Sequence, residues 1–305
     1  MGEIHRLIEE TGIDFVRAQS EDKLQRQVAE TAFGVMSDEE RQYGIMHAGF
    51  AMTSLPHKDI SEPTWSRHGG NIKLLVESGR DASENLVGIP FGSIARMILF
   101  YFQTEAVKNR SREIELGRSM NQWLAGMGID NGGKTYKLVR EQSKRLSLCK
   151  LTFFRMEKNQ TTSTNGGFVR DAILPTADEE DDQMTLWRSA VRLDEGFYES
   201  LIEHGMPVRT AAIREIGARS MAIDVYIWLA YRLHYLTKAT PVTWAALYSQ
   251  FGGGYQHIRQ FKAKFKEPLS LALAAYPEAR VDVSDTGVVL HPSPPPVPER
   301  MIAAG

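Results

Sequence analysis

One order of elements occurs twice in this chain, and it narrows the available folds more than any other feature. Each copy reads helix, short helix, glycine-rich turn, helix with one basic side, hairpin. In the first copy, Ile94, Met97, Ile98, Tyr101, Phe102 and Ala106 recur every three or four residues after Ser93, a favourable N-cap, and the helix ends near Asn109. A strand-like EIEL (113–116) follows, then a helix capped by Ser119 and carrying Met120, Trp123 and Leu124, which stops in GMGIDNGG. A basic helix runs from Gly133 to about Ser147. LCKLTFF (148–154), a polar tip at 161–167 and FVRDAIL (168–174) then read as a hairpin. In the second copy the helices are 220–235, a short one after Thr243 holding Trp244, Leu247 and Tyr248, and 254–267 after FGGG. ARVDV (279–283), the turn SDTG and VVLH (288–291) form its hairpin.

This order is that of a winged helix, a helix-turn-helix followed by a β-hairpin wing. The expected fold is therefore α+β and mainly helical, with two tandem winged-helix domains and an N-terminal helical extension. Residues 1–40 supply the extension as one or two amphipathic helices, with Ile4, Leu7 and Ile8 and then Leu24, Val28 and Ala32 at helical spacing. The first domain spans 41–176, including an irregular stretch with a short strand at 72–76. The acidic run DEEDD (178–182) marks a linker at 177–183, the second domain is 184–293, and a Pro-rich tail takes 294–305. At 305 residues the chain has room for two cores of ordinary size.

Each third helix separates its charges from its apolar side. On the first, Lys137, Arg140 and Lys144 share one side, while Leu138, Val139, Gln142 and Leu146 form the other; Lys134 starts the helix and Arg145 adds a further cation. On the second, Ile258, Phe261 and Phe265 give the stripe to be buried. Tyr255, Arg259, Lys262 and Lys266 line the outside, with Gln256, His257 and Gln260 beside them near the helix start. A recognition helix needs this arrangement: its first residues meet base edges in the major groove while Lys and Arg neutralise phosphates. Lys158 and Arg170 of the first hairpin could add phosphate contacts. The net charge of −2 argues against indiscriminate coating of nucleic acid, so binding must rest on such segregated charge.

Other chemistries find little support. GIDNGGKT (128–135) fits the phosphate-loop pattern G-x-x-x-x-G-K-[ST], the basis of a rival reading as an ATPase, but a phosphate loop needs a strand before it, and SMNQWLAGMG reads as a capped helix. The lone Cys149 allows no disulfide framework and sits in an apolar run, where cysteine behaves as a small hydrophobe. The eight histidines form no metal motif, and His47, His57 and His68 are expected in loops or at the surface. No enzyme activity, cofactor or metal is expected. The most apolar run, 97–102, is far short of the roughly 20 residues that span a bilayer, and the N-terminus has no secretory apolar core, so the expected location is the cytoplasm without membrane contact.

Several ordered stretches resemble the plasmid-encoded RepA replication-protein family of the broad-host-range type: GFAMTSLPH (49–57), GIPFGSIARMILFYFQTEA (88–106), REIELGRSMNQWLAGMGI (112–129), LAYRLHYL (229–236), FKAKF and the YPEARV segment. The resemblance covers about 43–293. It implies a sequence-specific initiator that binds repeated double-stranded sites at a plasmid origin, helps open the duplex, recruits host replication proteins such as an initiator and a helicase, and often represses its own gene. A homodimer is compatible with it. A repressor without an initiation role would use the same helices. Pro268 departs from a continuous third helix and is expected to end or kink it, which puts Lys266 in doubt as a contact.

Overall fold

In the computed structural model, residues 2–156, 161–173, 190–298 and 301 are described, with 161–166 described by their backbone alone. The acidic run, its linker and Lys158 lie outside them. Chain contacts divide the protein into a central unit, Ile45–Gly49 with Thr53–Gly205, and a terminal unit, Met1–Gly44 with Phe50–Met52 and Met206–Gly305. The sequence had placed the divisions at 40 and 177–183. Helices dominate the terminal unit, the central unit mixes helices and strands in similar measure, and among the described residues no sheet has more than four strands.

The N-terminal residues form three helices, α1 (Glu3–Thr11), α2 (Ile13–Gln19) and α3 (Lys23–Met36). They share a core with the C-terminal part of the chain: Ile8, Val16, Ala29 and Ala32 pack with Ala274, and the buried His5 hydrogen-bonds the Ala274 carbonyl through Nε2 at 2.8 Å. Residues 1–40 therefore belong to the terminal unit. Strand β1 (Tyr43–His47) and the short α4 (Gly49–Met52) follow.

In the central unit, β2 (Thr64–Gly69) and β3 (Ile72–Glu77) lead through a loop to α5 (Gly92–Lys108). This helix is buried nearly all round, and its polar members are satisfied locally. Gln103 Oε1 accepts the His47 amide at 2.7 Å, Thr104 accepts that of Ile45 at 2.9 Å, and Arg96 donates to the Leu55 and Gly92 carbonyls. No side chain caps α5. It begins on Gly92 after Phe91, so the expected N-cap Ser93 lies within the first turn.

Strand β4 (Glu113–Glu115), α6 (Met120–Met127), α7 (Gly133–Leu148) and β5 (Lys150–Met156) come next. Ser119 caps α6 as expected, accepting the Gln122 amide at 3.2 Å. The hairpin expected at 148–174 takes a different course. Residues 161–167, taken for its tip, are a strand, β6 (Thr161–Gly167), paired along its length with β5. The second expected arm is β7 (Val169–Ile173), which pairs with β8 (Ala190–Leu193) in a separate β4-β8-β7 sheet. A polar Thr/Ser/Asn/Gly run looks like a loop locally, but backbone pairing to a neighbour makes it a strand, in a four-stranded antiparallel sheet ordered β2-β3-β5-β6. Leu74, Val76, Leu151 and Phe153 fill one side of that sheet.

Helix α8 (Glu195–His204) completes the core, in which Trp123, Phe102, Phe168, Phe197, His47 and Phe153 form a chain of ring contacts at 4.9–6.1 Å. His47 is thus a buried strand residue, not a loop one. The Gly49 amide donates to its Nδ1, which leaves the hydrogen on Nε2 to reach Ser200 Oγ at 2.9 Å. Burial first, then the nearby His204 and Arg155 charges, lowers its pKa to about 3. His57, half-buried beside Arg96, is lowered by burial to about 2, while His68 is exposed as expected. Cys149 is buried and its thiol pushed up to about 12, in keeping with a small hydrophobe.

The terminal unit resumes with β9 (Gly205–Arg209), α9 (Thr210–Glu215), α10 (Ser220–Leu233), β10 (Thr240–Thr243), α11 (Trp244–Phe251), α12 (Ile258–Ala274), β11 (Val281–Val283) and β12 (Gly287–Leu290). The expected hairpin is present, and β10, which the sequence did not reveal, joins it in a β10-β12-β11 antiparallel sheet. Trp228, Phe251, Phe265 and Phe261 interlock between α10, α11 and α12. Helix α12 starts four residues after the expected 254 and runs through Pro268 to Ala274. Leu269, Leu271, Ala272 and Ala274 are buried beyond the proline, and that packing outweighs the one backbone donor it removes.

Candidate nucleic-acid interface

The turn between α6 and α7 is set by Gly128, whose φ of 68° closes α6 in the left-handed region while its amide and that of Ile129 reach back to Ala125 and Leu124. What precedes GIDNGGKT is thus a helix, and the strand that a phosphate loop requires is absent at that place. Tyr136 donates to Asn121 and ties α7 to α6.

On α7, Val139, Gln142 and Leu146 face inward, and Gln142 Oε1 accepts the Phe91 amide at 2.8 Å. Leu138, expected among them, is 43% exposed. Lys134 and Lys137 are exposed and Arg140 half-buried. Lys144 is exposed and pairs with Asp81 at 3.1 Å, which holds that carboxyl below its ordinary pKa. Arg145 departs from its expected role. It is 9% exposed, donates to Asp59 at 2.6 Å, to Glu141 at 2.7 Å and to the Ile89 carbonyl at 2.9 Å, and lies 4.9 Å over the Phe91 ring. Burial pulls its pKa down, but hydrogen bonding and charge from Asp59 and Glu141 outweigh that and raise it. Helical spacing makes 144 and 145 look alike, yet their directions differ by about 100°. Arg145 therefore fastens α7 to the segment before α5.

On α12, Phe261 and Phe265 are fully buried, but Ile258 is 38% exposed because the helix begins there. Tyr255 precedes the helix, its ring on Phe261 and its carbonyl accepting the Tyr248 hydroxyl at 2.6 Å. Gln256 and His257 lead into the first turn, where Arg259 and Gln260 are exposed. The Lys262 ammonium sits 5.6 Å above the Trp244 ring, which holds its stem against α11 while the head remains half-exposed. Lys264 and Lys266 are exposed, and Lys266 lies well inside the helix. The sequence reading missed Lys264. Its signal was the basic run FKAKFK, in which Lys264 stands about 100° around the helix from the buried Phe265. Arg170 is exposed at a bulge of β7, outside the β5–β6 hairpin.

Each unit thus presents, after a short capped helix and a turn, a longer helix with a buried apolar side and a row of exposed cations, and this defines a mixed α/β protein with two cationic helices. Two crystal structures of domains 2 and 3 of RctB are similar in outline. One is 11% identical over 73% of this chain and 82% of that one, the other 13% identical over 79% and 93%, each with a TM-score of 0.49. No curated protein matches. The model of the plasmid-encoded RepA protein family matches residues 89–246, just over half of the chain. The chain belongs to this RepA replication-initiator family. The match takes in α5 to the start of α11, α7 included, and stops short of α12.

Proposed function

We propose that the protein is a sequence-specific initiator that binds repeated double-stranded sites at a plasmid origin, with α7 and α12 each entering a major groove as the third helix of a winged-helix unit. The observation that carries the reading is α12. Arg259 and Gln260 are exposed in its first turn, where base edges are met, and Lys262, Lys264 and Lys266 follow along its length, where phosphates are met. In the terminal unit the β11–β12 hairpin supports the winged-helix assignment, and in the central unit the β5–β6 hairpin does. The α7 contacts are Lys134, Lys137, Arg140 and Lys144, without Arg145. Origin melting, recruitment of a host initiator and helicase, and self-repression come with the family reading, which favours an initiator over a repressor alone. Footprinting on the DNA that flanks the gene is expected to protect a set of repeats. A plasmid carrying the gene and those repeats is expected to replicate in a host without another initiator. Protection and promoter repression without replication would leave the repressor.

A further inference from the structure

The end of α10 carries a group of side chains that the core does not use. Tyr235 is 71% exposed, more than any other exposed large apolar or aromatic side chain among the described residues. Tyr231, one turn earlier, meets its ring edge to face at 5.9 Å, and the His234 ring lies 3.9 Å from it at 40°. His234 is pinned in turn, because its Nδ1 donates to the Ala230 carbonyl at 2.9 Å. Arg232 and Lys238 stand three residues before and after Tyr235, and neither forms an ion pair among the described residues. A basic residue near a helix C-terminus complements the helix dipole, which accounts for Arg232. It does not account for the exposed rings of His234 and Tyr235 with the half-buried Tyr231 against them, or for Lys238 beyond the helix.

We propose that this cluster is a binding site for unpaired nucleic acid, separate from the α12 cation row. A solvent-facing ring held in place by neighbouring rings is a ready platform for a base, since every base has a π face. Cations on both sides match the phosphates that flank a stacked base, whereas duplex DNA hides its base faces and offers Tyr235 nothing to stack on. The site takes a single strand with little sequence preference.

The test is fluorescence anisotropy of labelled oligothymidylate with the full chain, beside a duplex carrying the footprinted repeats. Tyr235→Ala is expected to weaken oligothymidylate binding about ten-fold or more, and Tyr235→Phe, which keeps the ring, to leave it within about two-fold. Duplex affinity should stay unchanged in both variants, and Arg259→Ala should show the reverse pattern, which separates failure of this site from failure of the duplex reading. Circular dichroism confirms that each variant is folded. Wild-type protein that ignores oligothymidylate, or Tyr235→Ala that binds it normally, overturns the proposal. So does a Tyr235→Ala protein altered only in sedimentation, which would make the cluster a contact between protein chains.

Discussion

At residue scale, exposure and partner decide what each cation can do. Arg259 has no buried partner to hold it back, so Arg259→Ala is expected to cost about 1–3 kcal/mol on the repeats and much less on unrelated DNA, read from binding isotherms on both. Lys137→Ala should weaken all sequences alike and reduce the slope of log affinity against log salt by about one. Arg145→Ala should act on the fold. It leaves the Ile89 carbonyl and Asp59 without their donor, a loss of about 1–3 kcal/mol in denaturant melts. Affinity of the folded fraction should change little. Acid should act through His47. Its folded pKa, about 3, lies below the unfolded 6.5, so the unfolded chain binds more protons between these values and stability falls as pH drops through that window. From pH 7 to pH 5 this one group costs about 2 kcal/mol, and His47→Asn should show a shallower decline.

At element scale, helix ends and strand pairing explain where the sequence was readable. Caps are local: Ser119 and Thr243 each accept an amide three residues on, and both were visible as polar residues ahead of apolar periodicity. Gly128 was likewise visible as the stop of α6. Its φ of 68° suits glycine, so Gly128→Ala is expected to destabilise the central unit by about 1 kcal/mol, with Gly128→Asn milder, in thermal melts. Strand partners are not local. Nothing in 161–167 announces pairing with β5, and β10 carries Pro241 in a run of only four residues. Pro268 misled in the opposite direction, because the lost hydrogen bond is written in the sequence and the compensating burial of Leu269 and Leu271 is not.

At the scale of the whole molecule, the N-terminal helices and the C-terminal third of α12 share one core although more than 230 residues separate them. Deleting residues 2–40 uncovers Ala274 at the end of α12, and is expected to lower the melting temperature and solubility of the protein, not merely to shorten it. By itself, the sequence determined the helices of the two repeated orders, the caps Ser119 and Thr243, the glycine turns and the two basic sides, because these follow from periodicity within a few residues. The family likeness rested on the same kind of ordered local stretches. Only the tertiary structure decided which strands pair, that residues 1–40 join the C-terminal core, that α12 passes through its proline, and that Arg145 is buried among the partners by which it fastens α7. Those outcomes depend on burial and charge supplied by residues distant in the chain, and local spacing carries no record of them.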